Sequence, residues 1–140
     1  METIDVFVYG TLKPGGTYYQ QYCVPYLKTA RPAQVRGLLY DLPTLGYPTM
    51  TLGAGWVKGY WFILDAAAMP ELDYLEGYHP EGYETLEGDN DFEEEYVRQR
   101  TTVFDLNGQP TGEAWIYVMA QPPEGAIWLA EGEWSQGLSV

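Results

Sequence analysis

The chain is short of the side chains that carry most nucleophilic and metal chemistry. Among its 140 residues are one cysteine (Cys23), one histidine (His79) and two serines (Ser135 and Ser139). A lone cysteine excludes an internal disulfide and with it a cystine-stapled scaffold. One cysteine and one histidine cannot assemble a zinc cluster. The acidic stretch Asp89-Asn90-Asp91-Phe92-Glu93 lacks the ordered spacing of a calcium loop and reads as a solvated excursion. Both serines sit near the C-terminal end, which leaves a serine triad unbuildable. Nothing in the spacing pairs Cys23 with His79, so Cys23 reads as a small buried hydrophobe. Basic residues are scarce too: seven against twenty acidic ones give a formal charge of −13. Such a field repels phosphate backbones, so nucleic-acid binding is disfavoured. No window reaches the roughly 18 uninterrupted apolar residues of a membrane span. The opening Met1-Glu2-Thr3-Ile4-Asp5 has no basic, signal-like region. A soluble, cytoplasmic protein that binds neither metal nor membrane is expected.

What the chain does have is apolar and aromatic matter: 46% hydrophobic residues and thirteen tyrosines. A chain of this length buries about two-thirds of its unfolded surface. A single domain over residues 1–140 is expected, with no internal repeat. Val6 to Tyr9 show no polar face, so Asp5 to Tyr9 reads as a first strand covered on both sides. Thr17 to Leu27 is rich in tyrosine and admits a short helix ended near Pro25. Ala33 to Asp41 reads as a strand, Pro43 to Pro48 as a loop, and Gly55 to Leu64 as a strong strand. Asp65 suits a helix cap. Pro70 fits the first turn of a helix running through Leu75, with Gly77 as its stop. Tyr96 to Asp105 and Glu113 to Ala120 read as a hairpin across Asn107-Gly108. Trp128 and Trp134 suggest a final segment packed on the body.

Two stretches can carry chemistry. In Val8-Tyr9-Gly10-Thr11-Leu12 a strand opens at glycine into a loop, followed by Gly15-Gly16. Glycine permits a sharp turn and lets a ligand approach bare peptide N–H groups, a cradle for a carboxylate or oxyanion. In Leu72-Asp73-Tyr74-Leu75-Glu76-Gly77-Tyr78, the two leucines mark an apolar stripe and Glu76 follows Leu72 by four residues. A glutamate beside the buried face, at the negative end of the helix dipole, is expected to have a raised pKa and to suit acid/base work. The inventory therefore permits an enzyme with one carboxylate, an amide cradle and tyrosine hydroxyls.

These two stretches, about sixty residues apart, resemble the gamma-glutamylcyclotransferase-like superfamily. The nearer branch is that of the AIG2-like and gamma-glutamylamine cyclotransferase proteins. Tyr96-Val97-Arg98, Ala114-Trp115-Ile116-Tyr117-Val118 and Ile127-Trp128-Leu129-Ala130-Glu131-Gly132-Glu133-Trp134 extend the resemblance over the chain. It implies an α+β fold, a small mixed β-barrel flanked by short helices. It implies that the loop of Tyr9, Gly10, Thr11 and Leu12 binds the glutamyl part of a small gamma-glutamyl substrate. Glu76 would be the acid/base residue, and Tyr117 would line the pocket. The implied reaction gives 5-oxoproline and a free amine without metal or organic cofactor. The long Tyr83 to Glu95 segment favours Arg98 as an ion-pair residue over a substrate contact. A non-catalytic member of the fold that binds a small ligand or a protein partner is the alternative. Oligomeric state is left open.

Overall fold

The computed structural model describes residues 2–10, 12–13, 18–42, 47–76, 97–119, 121–122 and 124–133, with the backbone alone at Tyr47, Leu75 and Glu76. The first strand, β1 (Thr3–Val8), explains its own apolar composition. Phe7 faces an inner core with Val35, Leu39, Met50, Val57 and Ile116. Val6 and Val8 face an outer layer with Phe62, Leu64, Leu72 and Tyr117. Successive residues of a strand point to opposite faces, so a strand covered on both sides needs no polar alternation. Burial on both sides holds for Val6 to Val8, whereas Thr3 is exposed and Ile4 and Asp5 are half-buried.

A turn of π-helix (Tyr19–Cys23) runs into a 3₁₀ turn (Val24–Tyr26) that contains Pro25. Two long strands follow, β2 (Leu27–Leu42) and β3 (Tyr47–Asp65). Both exceed their sequence-based limits because they pair with each other from Leu27↔Leu64 to Leu42↔Tyr47. The expected loop therefore loses Tyr47 and Pro48 to β3, while residues 43–46 lie outside the described residues. Helix α1 (Ala68–Glu76) comes next. Asp65 Oδ1 accepts from the Ala67 N–H at 2.9 Å, ordering the turn before the helix. The hairpin strands are β4 (Val97–Phe104) and β5 (Pro110–Val118). Their turn has Gly108 at φ +87°, a conformation open to glycine at little cost. Asp105 Oδ1 accepts from Asn107 N at 2.9 Å and Gln109 N at 3.0 Å, holding this turn. The Asp89 to Glu93 excursion and the rest of the Tyr83 to Glu95 segment lie outside the described residues.

The strands form one mixed sheet in the order β3-β1-β5-β4-β2, with β6 (Ile127–Trp128) added beyond β2. The β2–β3 pairing closes it into a ring. Two seams are thin, since β1–β5 and β2–β4 each share one register pair, Val6↔Trp115 and Gln34↔Phe104. The result is a barrel-like ring rather than an even barrel, with α1 against its outer side. The final segment is held through its backbone. Ile127 and Trp128 pair with Asp41 and Tyr40, the Leu129 N–H donates to Leu39 O at 2.8 Å, and the Lys58 N–H donates to Gly132 O at 2.7 Å. The expected packing of this segment on the body is made by its backbone and by Leu129, while Trp128 itself is 59% exposed. Trp134 lies outside the described residues.

The four arginines have a shared habit. Arg31 lies over Trp61, Arg36 over Trp56, and Arg98 and Arg100 over Trp115, at 4.2–5.3 Å from the ring centroids. Stacked guanidinium groups keep their charge while covering indole surface.

Candidate active site

Strands β1 and β5 run parallel, so the chain leaves both at the same end of the ring. Tyr9 follows β1 there, buried against the inner core, and its hydroxyl donates to the backbone oxygen of Tyr117 at 2.7 Å. Gly10 comes next. A Cβ at this position would lie 2.7 Å from Pro48 Cγ and 2.9 Å from Pro48 Cδ. Its φ is not positive. The glycine thus answers a close approach by β3, with the Pro48 ring standing on the side where a Cβ would point. The Lys13 N–H donates to Gly10 O at 3.0 Å, closing a tight turn in which the Lys13 amide is already engaged. Thr11 lies outside the described residues. Leu12 is buried in the outer layer with Leu72, Tyr117 and Met119. The Met119 N–H donates to Met50 O at 2.9 Å and ties the end of β5 to β3.

Lys13 is 3% exposed, an unusual place for an ammonium. Burial pushes its pKa below the ordinary lysine value, and the Glu133 carboxylate opposes that shift.

Across from the loop, α1 presents Asp73. Its Oδ1 accepts from the Tyr117 hydroxyl at 2.7 Å, and its Oδ2 lies 3.3 Å from Arg98 Nη1. Both partners come from one cross-strand pair, Arg98↔Tyr117, on the outer face of β4 and β5. Arg98 stacks over Trp115, two residues before Tyr117, which sets the guanidinium beside the carboxylate. The Tyr117 hydroxyl also lies 3.7 Å from Met69 Sδ.

Among the expected site residues, Tyr9, Leu12 and Tyr117 therefore come together, with Gly10 beside them. Tyr117 is 4% exposed and its hydroxyl donates a hydrogen bond to Asp73. Glu76 is the last residue of α1, three positions beyond Asp73. Its side chain lies outside the described residues, as do Gly77 and Tyr78. Sequence reasoning did not single out Asp73, Lys13 or Pro48. For Asp73 a signal exists in hindsight: it directly follows the buried Leu72, at the edge of the packed stripe. For Lys13 and Pro48 none exists, because their burial depends on segments remote in the chain.

Comparison with known proteins adds four findings. A family model described as "Gamma-glutamyl cyclotransferase, AIG2-like" matches residues 6–136. Over 136 residues the chain is 32% identical to the gamma-glutamylcyclotransferase family protein YtfP of Escherichia coli strain K12, covering 92% of this chain and 94% of that protein. The solution NMR structure of protein ytfP from Escherichia coli matches at a TM-score of 0.55 and 27% identity, covering 94% of this chain and 96% of that one. The crystal structure of an aig2-like protein from Mus musculus matches at a TM-score of 0.62, covering 89% and 83%. At 19% identity, that last likeness concerns the fold alone. Among the described residues no helix is long and apolar enough to cross a membrane.

Proposed function

Because the chain belongs to the gamma-glutamyl cyclotransferase, AIG2-like family, we propose that it releases 5-oxoproline and a free amine from a gamma-glutamyl amine or related amide. The substrate's α-nitrogen bonds to its own side-chain carbonyl carbon, and the bond from that carbon to the leaving nitrogen breaks. One proton passes from the attacking nitrogen to the leaving one through Glu76. Tyr9, Gly10, Thr11 and Leu12 hold the glutamyl part, and the amides of Gly10 to Leu12 face the oxyanion that forms on the carbonyl oxygen. Tyr117 closes the side of this loop toward α1. Since the nucleophile belongs to the substrate, the shortage of serine, cysteine and histidine is no obstacle. The protein's task is to fold the substrate on itself, and positioning of that kind removes several kcal/mol from a barrier.

One observation carries the reading. The Tyr9 hydroxyl bonds to Tyr117 and the Tyr117 hydroxyl bonds to Asp73, so an unbroken chain of contacts joins the loop to the helix that ends at Glu76. The test is to incubate the purified protein with a panel of gamma-glutamyl amines and peptides and to measure 5-oxoproline by mass spectrometry. Wild type is expected to form it, and Glu76→Gln to form it about 10²–10⁴-fold more slowly with the fold intact. Equal turnover in that variant removes Glu76 from the mechanism. No product from any substrate leaves the non-catalytic binding module.

A further inference from the structure

Helix α1 is a short element in a place where accuracy matters. Its nine residues are too few to hold a helix unaided. Among its described side chains only Ala68 and Leu72 supply fully buried apolar anchorage. Glu71, Asp73 and Glu76 make it acidic, and its last turn carries no base to offset the helix dipole. Something other than propensity must fix its C-terminal half.

Asp73 is the group that meets this need. A carboxylate placed against the sheet is costly unless both oxygens find partners, and here each finds a different one. The Tyr117 hydroxyl holds Oδ1 at 2.7 Å and Arg98 Nη1 sits 3.3 Å from Oδ2. Two donors on two oxygens fix the carboxylate's rotation as well as its place. Tyr117 and Arg98 face each other across the β4–β5 ladder, and Arg98 is braced on Trp115, so both donors stand on rigid backbone. The same Tyr117 accepts the Tyr9 hydroxyl on its backbone oxygen, one residue before Gly10.

We infer that Tyr117, Asp73 and Arg98 are positioning residues that set the last turn of α1 and the entry to the 9–13 loop at a fixed separation. The inference rests on the proposed role of Glu76. Asp73 precedes Glu76 by three residues, about 4.5 Å along the axis and most of one turn, so a grip on Asp73 is a grip on the turn that carries Glu76. Tyr117 acts on the helix and the loop, and touches no reacting atom.

Steady-state 5-oxoproline release separates this role from its rivals. It is measured for wild type, Glu76→Gln, Tyr117→Phe, Asp73→Asn and the double variant Tyr117→Phe/Asp73→Asn, each well below its own melting temperature. Each single change at Tyr117 or Asp73 is expected to lower kcat about ten- to hundredfold, with KM held within about twofold, as misplacement of a reacting group does. The double variant is expected to fall no further than the worse single, because the two residues act as one unit. A folded Tyr117→Phe with wild-type kcat overturns the inference, even if its melting temperature drops, since that pattern marks a merely structural bond. A raised KM with kcat retained also overturns it and makes Tyr117 a substrate contact. Should Asp73→Asn fail to fold, Tyr117→Phe alone decides. An active wild type, an inactive Glu76→Gln and an unaffected Tyr117→Phe remove this inference only. A wild type inactive on the whole panel removes the activity reading and this inference with it.

Discussion

The two faces of β1 and β5 make different demands of the same strands. Inward, Phe7, Ala114, Ile116 and Val118 join Val35, Leu39, Met50, Val57 and Val103 in a core that is almost wholly hydrocarbon. Its one hydroxyl, on Tyr9, reaches out to the Tyr117 backbone oxygen. Outward, Val6, Val8, Leu12 and Leu72 share their layer with Tyr117, and Asp73 and Arg98 are bound into its edge. The inner face needs only volume and shape, so a change there should cost stability in proportion to the space it opens. The outer face needs each polar group to find its own partner, so a change there should act through one named bond. Closing the ring and arranging the candidate site are thus assigned to opposite sides of the same two strands.

Four substitutions would break or sharpen that contrast. The largest effect is expected inside: Ile116→Ala, at a fully buried position, should lower the unfolding free energy by about 2–5 kcal/mol in denaturant melts. A loss no larger than that of an exposed site would mean the ring interior is not the principal core. Gly10→Ala should follow, because its methyl group would press on Pro48. Overpacking of this kind costs about 1–3 kcal/mol, and 5-oxoproline release should fall with it if the loop is displaced. Tyr117→Phe on the outer face removes one hydroxyl from Asp73 and should cost about 1.5–3 kcal/mol, the range for a bond to a carboxylate, below the larger losses expected of Ile116→Ala. A cost equal to that of the inner cavity would erase the distinction drawn above.

The smallest effect concerns Lys13. Burial lowers its folded-state pKa below the 10.5 of a free lysine. Between those two values the unfolded chain binds more protons than the folded one, so this residue makes wild-type stability rise with pH across that window. Lys13→Met lacks the contribution. Its melting temperature relative to wild type should be highest near neutral pH, and the advantage should shrink as pH climbs toward 10.5. An advantage that is flat with pH would mean the amine is not destabilised by burial.

Legibility followed the range of the physics involved. The unbroken apolar run of Val6 to Val8 announced a strand covered on both sides, because burial writes itself directly into residue type. The Asn107-Gly108 turn was equally plain, since it is decided by bonds within a few residues, whereas Asp65, expected as the helix cap, orders the turn that precedes α1. The Tyr-Gly-Thr-Leu and Leu-Asp-x-x-Glu-Gly stretches were enough to place the chain in its family. The limits of β2 and β3 were not legible, as Lys28 to Pro32 and Tyr47-Pro48 become strand by pairing with a remote partner rather than by their own propensity.

From its residues alone this protein was bound to be an acidic chain with a two-sided first strand and a tight late hairpin, while the α+β fold came from its resemblance to a known family. Only the folded ring determined why Gly10 must be bare, why Trp128 stays in water while Leu129 packs, and why Asp73 can sit against the sheet at all. Those outcomes depend on which atoms arrive from tens of residues away: a proline ring, a backbone ladder, a tyrosine hydroxyl and a guanidinium. Contacts of that range leave no local pattern, because each partner looks ordinary until the chain closes and brings the other to it.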